Sequence, residues 1–338
     1  MDEGAYPSDM IEGDYVETME GLLFTVKGLF HPEGRIIAYL RYVPDSGGDR
    51  IRNGQGYTRV YDLEETMGFL IERFPHYISH VDRIGLTLQT VPYDKVARIY
   101  RPRQRLKDLL SNPKNKLEET VAMFVSALSS ESGVTLENFG VSGSLLIDLA
   151  SSDSDIDLAV YGRDAGEKVY AALGVLRETR VWITPYDEVS VGGVLRARWK
   201  GSGLDLDKLR GIEIGKLLHG LVQGREYFVR LIKKPEEAEA ENSSTPLGEV
   251  KLRAVVSEAG ESIFTPCRYR VGECVLLGTS HDEKVSELVS FRGRFTEQAR
   301  ERNTVYARGT LEEVEYGDRT IHRVMLGSRE DYLVPFEV

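Results

Sequence analysis

The fold of this chain is decided by residues 140–162, which read GVSGSLLIDLASSDSDIDLAVYG. The segment opens with a turn of small residues, Ser142, Gly143 and Ser144. It closes with residues 156–161, a short apolar run that is typical of a buried β-strand. The pattern predicts a strand, a tight turn and a second strand, with polar side chains gathered between the two strands.

Two carboxylates stand at the start of the second strand, where Asp155 and Asp157 flank Ile156. Because side chains alternate along a strand, both carboxylates are expected on one face, where they can share divalent cations. Gly143 and Ser144 suit a phosphate, since glycine lets the backbone approach and a strand-to-helix turn leaves N–H groups free. Phosphate, hard cations and two carboxylates together indicate metal-assisted nucleotidyl transfer.

These residues resemble the signature of the nucleotidyltransferase superfamily that includes DNA polymerase beta, the CCA-adding enzymes and the small antibiotic nucleotidyltransferases. That signature is an apolar residue, Gly-Ser, about ten residues, and then Ser-Asp-x-Asp-apolar. Ser144 and Asp155 lie eleven positions apart, which is the usual separation. The match covers residues 136–234, and the whole arrangement resembles a mostly archaeal group of predicted nucleotidyltransferases.

The resemblance implies a mixed-sheet nucleotidyltransferase fold and roles for particular residues. Asp155 and Asp157 are the implied catalytic residues and ligands of Mg²⁺ or Mn²⁺. Gly143, Ser144 and Ser154 are the implied nucleotide-binding residues, and the donor is a nucleoside triphosphate. One departure is that Leu145 to Asp148 stand where members with a minimal domain often carry Arg and Gly, which removes a phosphate contact.

The family's third carboxylate is the main departure. In the polymerase branch it lies in a later strand that reads apolar-Asp-apolar-Arg-Leu-Ile, and residues 227–232, YFVRLI, match this with Phe228 at the acidic position. Glu226 lies two residues away on the same face of that strand and is the favoured third catalytic residue. Other candidate carboxylates remain open, namely Glu258, Asp205 and Asp207.

Element patterns predict an α+β and α/β multidomain chain. The predicted parts are an acidic flexible N-terminus (1–15), an N-terminal α+β module (16–110), the nucleotidyltransferase domain (111–234), a linker (235–248) and a C-terminal all-β domain (249–338).

In the N-terminal module, residues 22–30 and 36–43 predict a β-hairpin around a His-Pro-Glu-Gly turn. Residues 62–74 predict a helix, and 91–110 predict a basic connector that is first extended and then helical.

Further helices are expected in the central domain. A helical repeat starts at Leu117, and Asp164 with Glu167 forms a capping-box signature for a helix to about Arg177. Another helix is predicted over 207–222, ending at Gly224. After the linker, four segments predict a small barrel of the oligonucleotide-binding kind, namely 250–256, 268–277, 304–314 and 320–326.

Composition narrows the class of protein. The 338 residues contain no apolar run long enough for a membrane span and no basic start for a secretory signal. Cys267 and Cys274 are too few for a disulfide framework, so a cytoplasmic location is expected. The formal net charge of −11 argues against broad non-specific binding of nucleic acid.

Local charge nevertheless leaves an RNA acceptor open. Residues 95–107 carry six basic and no acidic side chains, and aromatics alternate with arginines between Phe291 and Arg308 in the predicted barrel. Both patterns suit an RNA backbone and stacked bases, although a solvated helix face or buried strand aromatics explain them as well. Three hypotheses therefore stand: an RNA-directed transferase, a protein- or small-molecule-directed one, and a degenerate nucleotide- or RNA-binding protein.

Overall fold

The computed structural model describes residues 9–336 and divides them into two compact units. The first unit comprises the described residues up to Ser126 together with Thr135–Val160, and the second comprises Ala127–Val134 and the described residues from Tyr161 onward. Seven α-helices and twenty β-strands lie within residues 9–336, so the chain is α+β. The predicted division into modules at residues 110 and 234 stays a prediction.

The N-terminal part of the first unit is an eight-stranded sheet. Its strands are β1 (Tyr15–Thr18), β2 (Leu23–Val26), β3 (Arg35–Pro44), β4 (Arg50–Arg52), β5 (Gln55–Arg59), β6 (Ile78–Val81), β7 (Leu86–Pro92) and β8 (Val96–Tyr100). The main path of pairing runs β4-β5-β3-β2-β1-β8, and β7 pairs with β3 and β6. The predicted hairpin is confirmed, since β2 and β3 pair antiparallel.

Alternation along β2 gives this sheet two buried faces. Phe24 packs into one apolar cluster with Leu40 and Leu70. Leu23, its neighbour, faces the other side and joins a cluster with Tyr42 and Leu146. The second face is therefore covered by residues that directly follow the Gly143-Ser144 turn, which brings the N-terminal sheet to the predicted site.

Three helices contribute to this half of the chain: α1 (Leu63–Arg73), α2 (Pro102–Ser111) and α3 (Lys116–Ser132). Asp62 caps α1, because its carboxylate accepts hydrogen bonds from the backbone N–H of Glu64 (2.9 Å) and Glu65 (3.1 Å). The predicted helix over 62–74 and the extended-then-helical connector are both confirmed.

The segment that opened the sequence analysis folds into β9 (Phe139–Val141), α4 (Gly143–Leu146) and β10 (Ile156–Tyr161). β9 and β10 pair antiparallel, with Gly140 opposite Ala159. The predicted strand 156–161 is confirmed at both ends. The predicted strand before the turn is shorter than expected, since residues 136–138 form a 3₁₀ turn.

The second unit continues with helices and short strands. They are α5 (Arg163–Thr179), β11 (Ile183–Thr184), α6 (Ser190–Trp199), α7 (Leu206–Gly215), β12 (His219–Val222), β13 (Arg225–Ile232), β14 (Ser243–Glu258) and β15 (Phe264–Thr265). β12 pairs antiparallel with β11 and β13, whereas β15 pairs parallel with β13, so the sheet is mixed.

The helix predicted over 207–222 is wrong in its second half. α7 ends at Gly215, and residues 219–222 form strand β12. Gln223 (φ 50°) and Gly224 (φ 75°) make the two-residue turn of a hairpin between β12 and β13. A glycine after an apolar run marks a helix end and a hairpin turn equally well, which explains the error.

The capping box predicted at Asp164 is also wrong. α5 begins at Arg163, after Gly162 with φ 105°, and the N–H of Arg163 donates to Glu237 Oε2 at 2.9 Å. Asp164 lies inside the first turn, where its carboxylate accepts a hydrogen bond from Lys168 Nζ at 2.7 Å. The N-terminus of α5 is therefore capped by Glu237, which is distant in sequence, and not by Asp164.

The C-terminal sheet contains β14 and five further strands. These are β16 (Cys267–Leu277), β17 (Val285–Ser290), β18 (Thr304–Tyr316), β19 (Arg319–Met325) and β20 (Tyr332–Pro335). The pairing order is β14-β16-β17-β19-β18-β20, and β14 also pairs with β18, so the path returns to its first strand. All four predicted strands are confirmed, and the sheet curls as a barrel does.

Residues 235–248 are less open than the predicted linker. β14 already starts at Ser243, which lies opposite Glu315 of β18, so residues 243–248, nearly half of the segment, belong to the sheet. Serine and proline are typical of loops, so their presence at the start of β14 led to the prediction of a linker. Among residues 9–336, none of the helices combines the length and apolar character that a membrane crossing requires.

Candidate functional site

The two aspartates lie where β10 begins. Asp155 directly precedes the strand and Asp157 is its second residue, and both are half-buried beside the fully buried Ile156 and Leu158. The backbone N–H of Ser142 donates to the carbonyl of Asp157 at 2.8 Å, which ties the turn after β9 to this strand. Alternation along the strand therefore turns both carboxylates to the side opposite the buried apolar residues.

Gly143 is required by its contact with Asp157. Its φ is +60°, and a Cβ added there would overlap the Asp157 carboxylate. Backbone conformation and close approach thus favour glycine for two separate reasons. The result is a carboxylate that lies directly against the Gly143 backbone, with no side chain between them.

Ser144 carries an unsatisfied polar atom. The residue is only 4% exposed, and its Oγ has no hydrogen-bond partner within the part of the chain that the structure describes. A buried hydroxyl without a partner costs free energy unless a ligand or water completes it. The predicted nucleotide-binding serine therefore has a hydrogen bond to offer.

Ser154 organises the loop before Asp155. Its Oγ accepts a hydrogen bond from the backbone N–H of Ser151 at 2.9 Å. Arg50, in β4 of the N-terminal sheet, donates from Nη1 to Ser151 Oγ (2.5 Å) and Ser154 Oγ (3.2 Å). Ser154 thus holds the loop and receives an arginine, in addition to its predicted contact with a nucleotide.

Two further arginines come from neighbouring strands of that sheet. Arg59 ends β5 and lies opposite Tyr42 of β3, so the two side chains share a face of the sheet. Arg41 lies at a β-bulge, because Leu23 is opposite Tyr42 while Phe24 is opposite Leu40. A bulge breaks the alternation of side chains and re-aims the extra residue.

Electrostatic effects connect Arg59 with the aspartates, and connect Arg41 and Arg50 with the tyrosines beside them. Burial acts to lower the pKa of the Arg59 guanidinium, but two tyrosines and then Asp155 and Asp157 outweigh it and raise that pKa. Burial raises the pKa of Tyr61, with Arg59, Arg41 and Arg50 opposing and Asp155 reinforcing the shift. The charges of the three arginines and the two aspartates therefore act on the same small group of side chains.

The aromatic side chains around them are of two kinds. Tyr15 is buried, and burial raises its pKa while Arg41 opposes and Asp157 reinforces that rise. Tyr61 is 61% exposed, and the Arg59 guanidinium lies 4.3 Å from its ring centre. One tyrosine of this region, Tyr15, is therefore part of the interior, whereas Tyr61 is open to solvent.

A divalent cation fits the donor set. Asp155 and Asp157 supply hard carboxylate oxygens on one side of a strand, and the lack of a side chain at Gly143 lets the Asp157 carboxylate lie against the turn. No group of three histidine, cysteine or acidic side chains that could hold a metal ion exists among residues 9–336. Two ligands suffice for Mg²⁺ when substrate phosphates and water complete its shell.

Glu226, the predicted third catalytic residue, lies in β13 of the second unit. It is exposed, and its Oε2 accepts a hydrogen bond from Tyr186 Oη at 3.5 Å. The neighbouring Phe228 is stacked on His219, with ring centres 4.3 Å apart and planes 3° from parallel. The role of Glu226 stays a prediction.

The other candidate acids have structural partners. Asp205 is the N-cap of α7 and accepts from the Asp207 backbone N–H at 3.2 Å. Asp207 pairs with Arg210 at 3.0 Å, and Glu258 at the end of β14 pairs with Arg270 at 3.6 Å.

The basic segment 95–107 is partly neutralised within the first unit. Arg101 pairs with Asp14 at 2.5 Å and Arg105 pairs with Glu118 at 2.7 Å, while Arg98 and Lys107 are exposed. The six basic side chains of residues 95–107 therefore do not form a continuous strip of unpaired positive charge.

The aromatic and arginine pattern near the C-terminus is also partly internal. Phe295 is fully buried, and Arg294 is 7% exposed with its guanidinium bonded to backbone carbonyls, including that of Asp331 at 2.9 Å. Phe336 is 64% exposed and pairs with the ring of Tyr306 at 5.8 Å. Any stacking surface is thus limited to a few of the residues that suggested it.

Sequence reasoning missed Arg41, Arg50, Arg59 and Tyr61. They lie some ninety or more residues before the aspartates and have no local motif. Only the shared burial of Tyr42 and Leu146 in one cluster explains their convergence, and that long-range packing leaves no signal in the spacing.

Comparison with known proteins adds one relative. The chain is 29% identical over 333 residues to the uncharacterized protein MJ1086 of Methanocaldococcus jannaschii, covering 94% of this chain and 95% of that protein. No family model matches the chain. No solved structure matches it either.

Proposed function

We propose that this protein is a metal-dependent nucleotidyltransferase that moves a nucleoside monophosphate from a nucleoside triphosphate to a hydroxyl acceptor. The observation that carries the proposal is the close set of Asp155, Asp157 and Gly143, with an unpartnered Ser144 hydroxyl beside them. Its oxygen ligands and bare backbone suit a cation and a phosphate together. The resemblance to the polymerase beta superfamily supports the same chemistry.

In this mechanism the acceptor oxygen attacks the α-phosphorus, a new O–P bond forms, and the bond to pyrophosphate breaks. Asp155 and Asp157 would hold Mg²⁺ or Mn²⁺, which supplies charge neutralisation and a lowered pKa of the acceptor hydroxyl when bound. Ser144 Oγ and the backbone at Gly143 position the departing phosphates. The resemblance gives acceptance of the hydroxyl proton to a third carboxylate, for which Glu226 remains the predicted residue.

An RNA is the acceptor that we propose to test first. The exposed Arg98 and Lys107 and the Tyr306–Phe336 ring pair can contact a backbone and bases. Internal pairing of Arg101 and Arg105 reduces that positive surface, and this favours the alternative of a protein or small-molecule acceptor.

A second candidate function is nucleotide or RNA binding without transfer. It is favoured by Phe228, whose ring is stacked on His219 at the position where the resemblance expects the third acid. In a protein that binds a nucleotide without transferring it, Asp155 and Asp157 would still hold the cation that accompanies the phosphates.

The experiment that tests the proposal is transfer of label from each α-labelled nucleoside triphosphate into total RNA and total protein, with Mg²⁺ or Mn²⁺. The D155N/D157N double variant is expected to lose transfer about a thousandfold, since each change removes a metal ligand. The matched control is E64Q/E65Q, which neutralises two exposed acids of α1. The labelled fraction identifies the acceptor class.

Absence of label with every nucleotide and metal, from a native chain that still binds ATP, would refute the enzyme and support the binding protein. Equal labelling by the native chain and D155N/D157N would also refute the proposed site, because the activity would then come from elsewhere.

A further inference from the structure

Strands β3, β4 and β5 also contain Arg35 and Arg52, and the guanidinium groups of both are held by hydrogen bonds within the sheet and its neighbours. Arg52 is satisfied internally: its Nη2 lies 2.6 Å from Glu17 Oε1 and 3.0 Å from Tyr57 Oη, and its Nη1 lies 2.8 Å from Tyr100 Oη. Neither Arg41 nor Arg59 forms an ion pair with a carboxylate in the described part of the chain. Their charges are thus available to a ligand.

Strand geometry brings these arginines to one place. β4, β5 and β3 are consecutive in the sheet, and the register sets Arg59 opposite Tyr42 and Arg50 opposite Tyr57. The bulge at Arg41 lies next to Tyr42, and the backbone N–H of Val60 donates to the Arg41 carbonyl at 2.9 Å. A bulge beside two other arginines is the kind of local irregularity that re-aims a side chain at a site.

A second observation points to a ligand. Arg50 donates to the serines of the loop that leads into Asp155, so its strand is attached to that loop. The orphan Oγ of Ser144 is 96% buried in the same unit. Arg50 Nε also lies 3.4 Å from the exposed Asp49 carboxylate, so the three guanidinium groups are balanced by three carboxylates, Asp49, Asp155 and Asp157. A divalent cation bound at the aspartates would leave an excess of positive charge for phosphates.

We infer that Arg41, Arg50 and Arg59 form a phosphate-binding wall that holds the triphosphate of the donor nucleotide. The inference rests on the proposed function and names the part of the donor that the N-terminal sheet recognises. Guanidinium groups bind phosphate oxygens in a bidentate, charge-assisted way, and three of them match the several charges of a triphosphate. The N-terminal sheet is then a component of the active site.

The test is titration calorimetry of the full chain with inorganic tripolyphosphate, ATP and adenosine, each in EDTA and in Mg²⁺. R41A and R59A are each expected to weaken tripolyphosphate and ATP binding about 10- to 100-fold, with adenosine binding unchanged. R41K and R59K keep the charge and should recover part of the affinity. R73A is the matched control, since it removes an exposed arginine at the end of α1.

Thermal unfolding followed by circular dichroism checks that each variant is folded. If an Ala variant is unfolded, the tripolyphosphate affinity of the corresponding Lys variant tests the phosphate-binding wall instead. Unchanged tripolyphosphate affinity in both R41A and R59A would overturn the inference, and so would a native chain that binds no tripolyphosphate. Weakened binding of an RNA oligonucleotide without any loss for tripolyphosphate would overturn it as well, because the wall would then contact an RNA backbone.

The outcome is separable from that of the proposed function. Arginine-dependent binding of tripolyphosphate without any label transfer supports the wall and refutes the transferase. Transfer that needs Asp155 but is unaffected in R41A and R59A supports the transferase and refutes the wall.

Discussion

Two clusters of charge in this protein use the same residue types in opposite ways. In the second unit, Glu213 is fully buried and accepts hydrogen bonds from Arg198, Trp199 and Lys216, each at 2.9 Å. In the first unit, Asp155 and Arg59 are half-buried and form no ion pair with each other or with other described side chains.

The difference separates charges that hold the fold from charges that are ready for a ligand. Burial opposes ionisation of Glu213, but Lys216 and Arg198 outweigh it and lower its pKa, so the carboxylate is charged and complete. The Glu213 carboxylate is fully occupied by its donors, whereas the buried Ser144 Oγ has no partner in the described part of the chain. The comparison predicts that substitutions in the two clusters change different observables.

The largest expected effect is on stability. Glu213→Ala leaves the fully buried Lys216 without its carboxylate, so the free energy of unfolding should fall by about 4 kcal/mol. Asp155→Asn should change it by less than about 0.5 kcal/mol, because that side chain is half-exposed and supports no pair. Urea unfolding measures the free energy of unfolding of both variants. Equal losses would mean that the two clusters do not differ in their contribution to stability.

The next largest effect is on activity, and it concerns only the residues around Asp155 and Asp157. Gly143→Ala would place a Cβ against the Asp157 carboxylate and also strain a backbone with φ +60°. We expect label transfer to fall at least about a hundredfold, or about 3 kcal/mol, with a stability loss of only about 1 kcal/mol.

Gly133→Ala is the control for Gly143→Ala, since its φ is +69° but nothing lies within 4 Å of an added Cβ. It shares the backbone strain without the collision. Equal activity of the two variants would show that contact with Asp157 is unimportant.

The smallest expected effect concerns Asp14, a buried carboxylate with fewer hydrogen-bond donors than Glu213. Burial raises the pKa of Asp14 to about 6, although Arg101 opposes the rise. Since the folded pKa lies above the unfolded value, the folded state binds more protons between about pH 4 and 6. Stability should therefore fall as pH rises through this window, on the order of 2 kcal/mol in total.

Unfolding of the native chain and of Asp14→Asn, measured from pH 4 to pH 7, isolates this contribution. The variant should lack the decline that is due to Asp14. Parallel curves for the two proteins would mean that Arg101 compensates fully for burial, as the cations around Glu213 do.

Local patterns were reliable where one interaction decides the structure. Strand β10 was predicted at both ends because most of its residues are apolar, and helix α1 was predicted to within one residue at each end. The region around Gly224 failed because glycine at positive φ serves a hairpin and a helix end alike. Helix α6 was missed, since its Ser-Val-Gly-Gly start has weak helix propensity and depends on burial of Val194 and Trp199.

By itself the amino-acid sequence determined the α+β class, the β9-turn-β10 segment and the positions of Asp155, Asp157, Gly143 and Ser144 within it. All of these depend on neighbours in the chain, so their spacing is visible in one dimension. The tertiary structure alone brought Arg41, Arg50 and Arg59 together on neighbouring strands and attached Arg50 to the loop before Asp155, since a bulge, strand register and contacts across some hundred residues set these positions. It also decided which charges are closed by partners and which stay open, because burial and hydrogen bonding are properties of the packed chain.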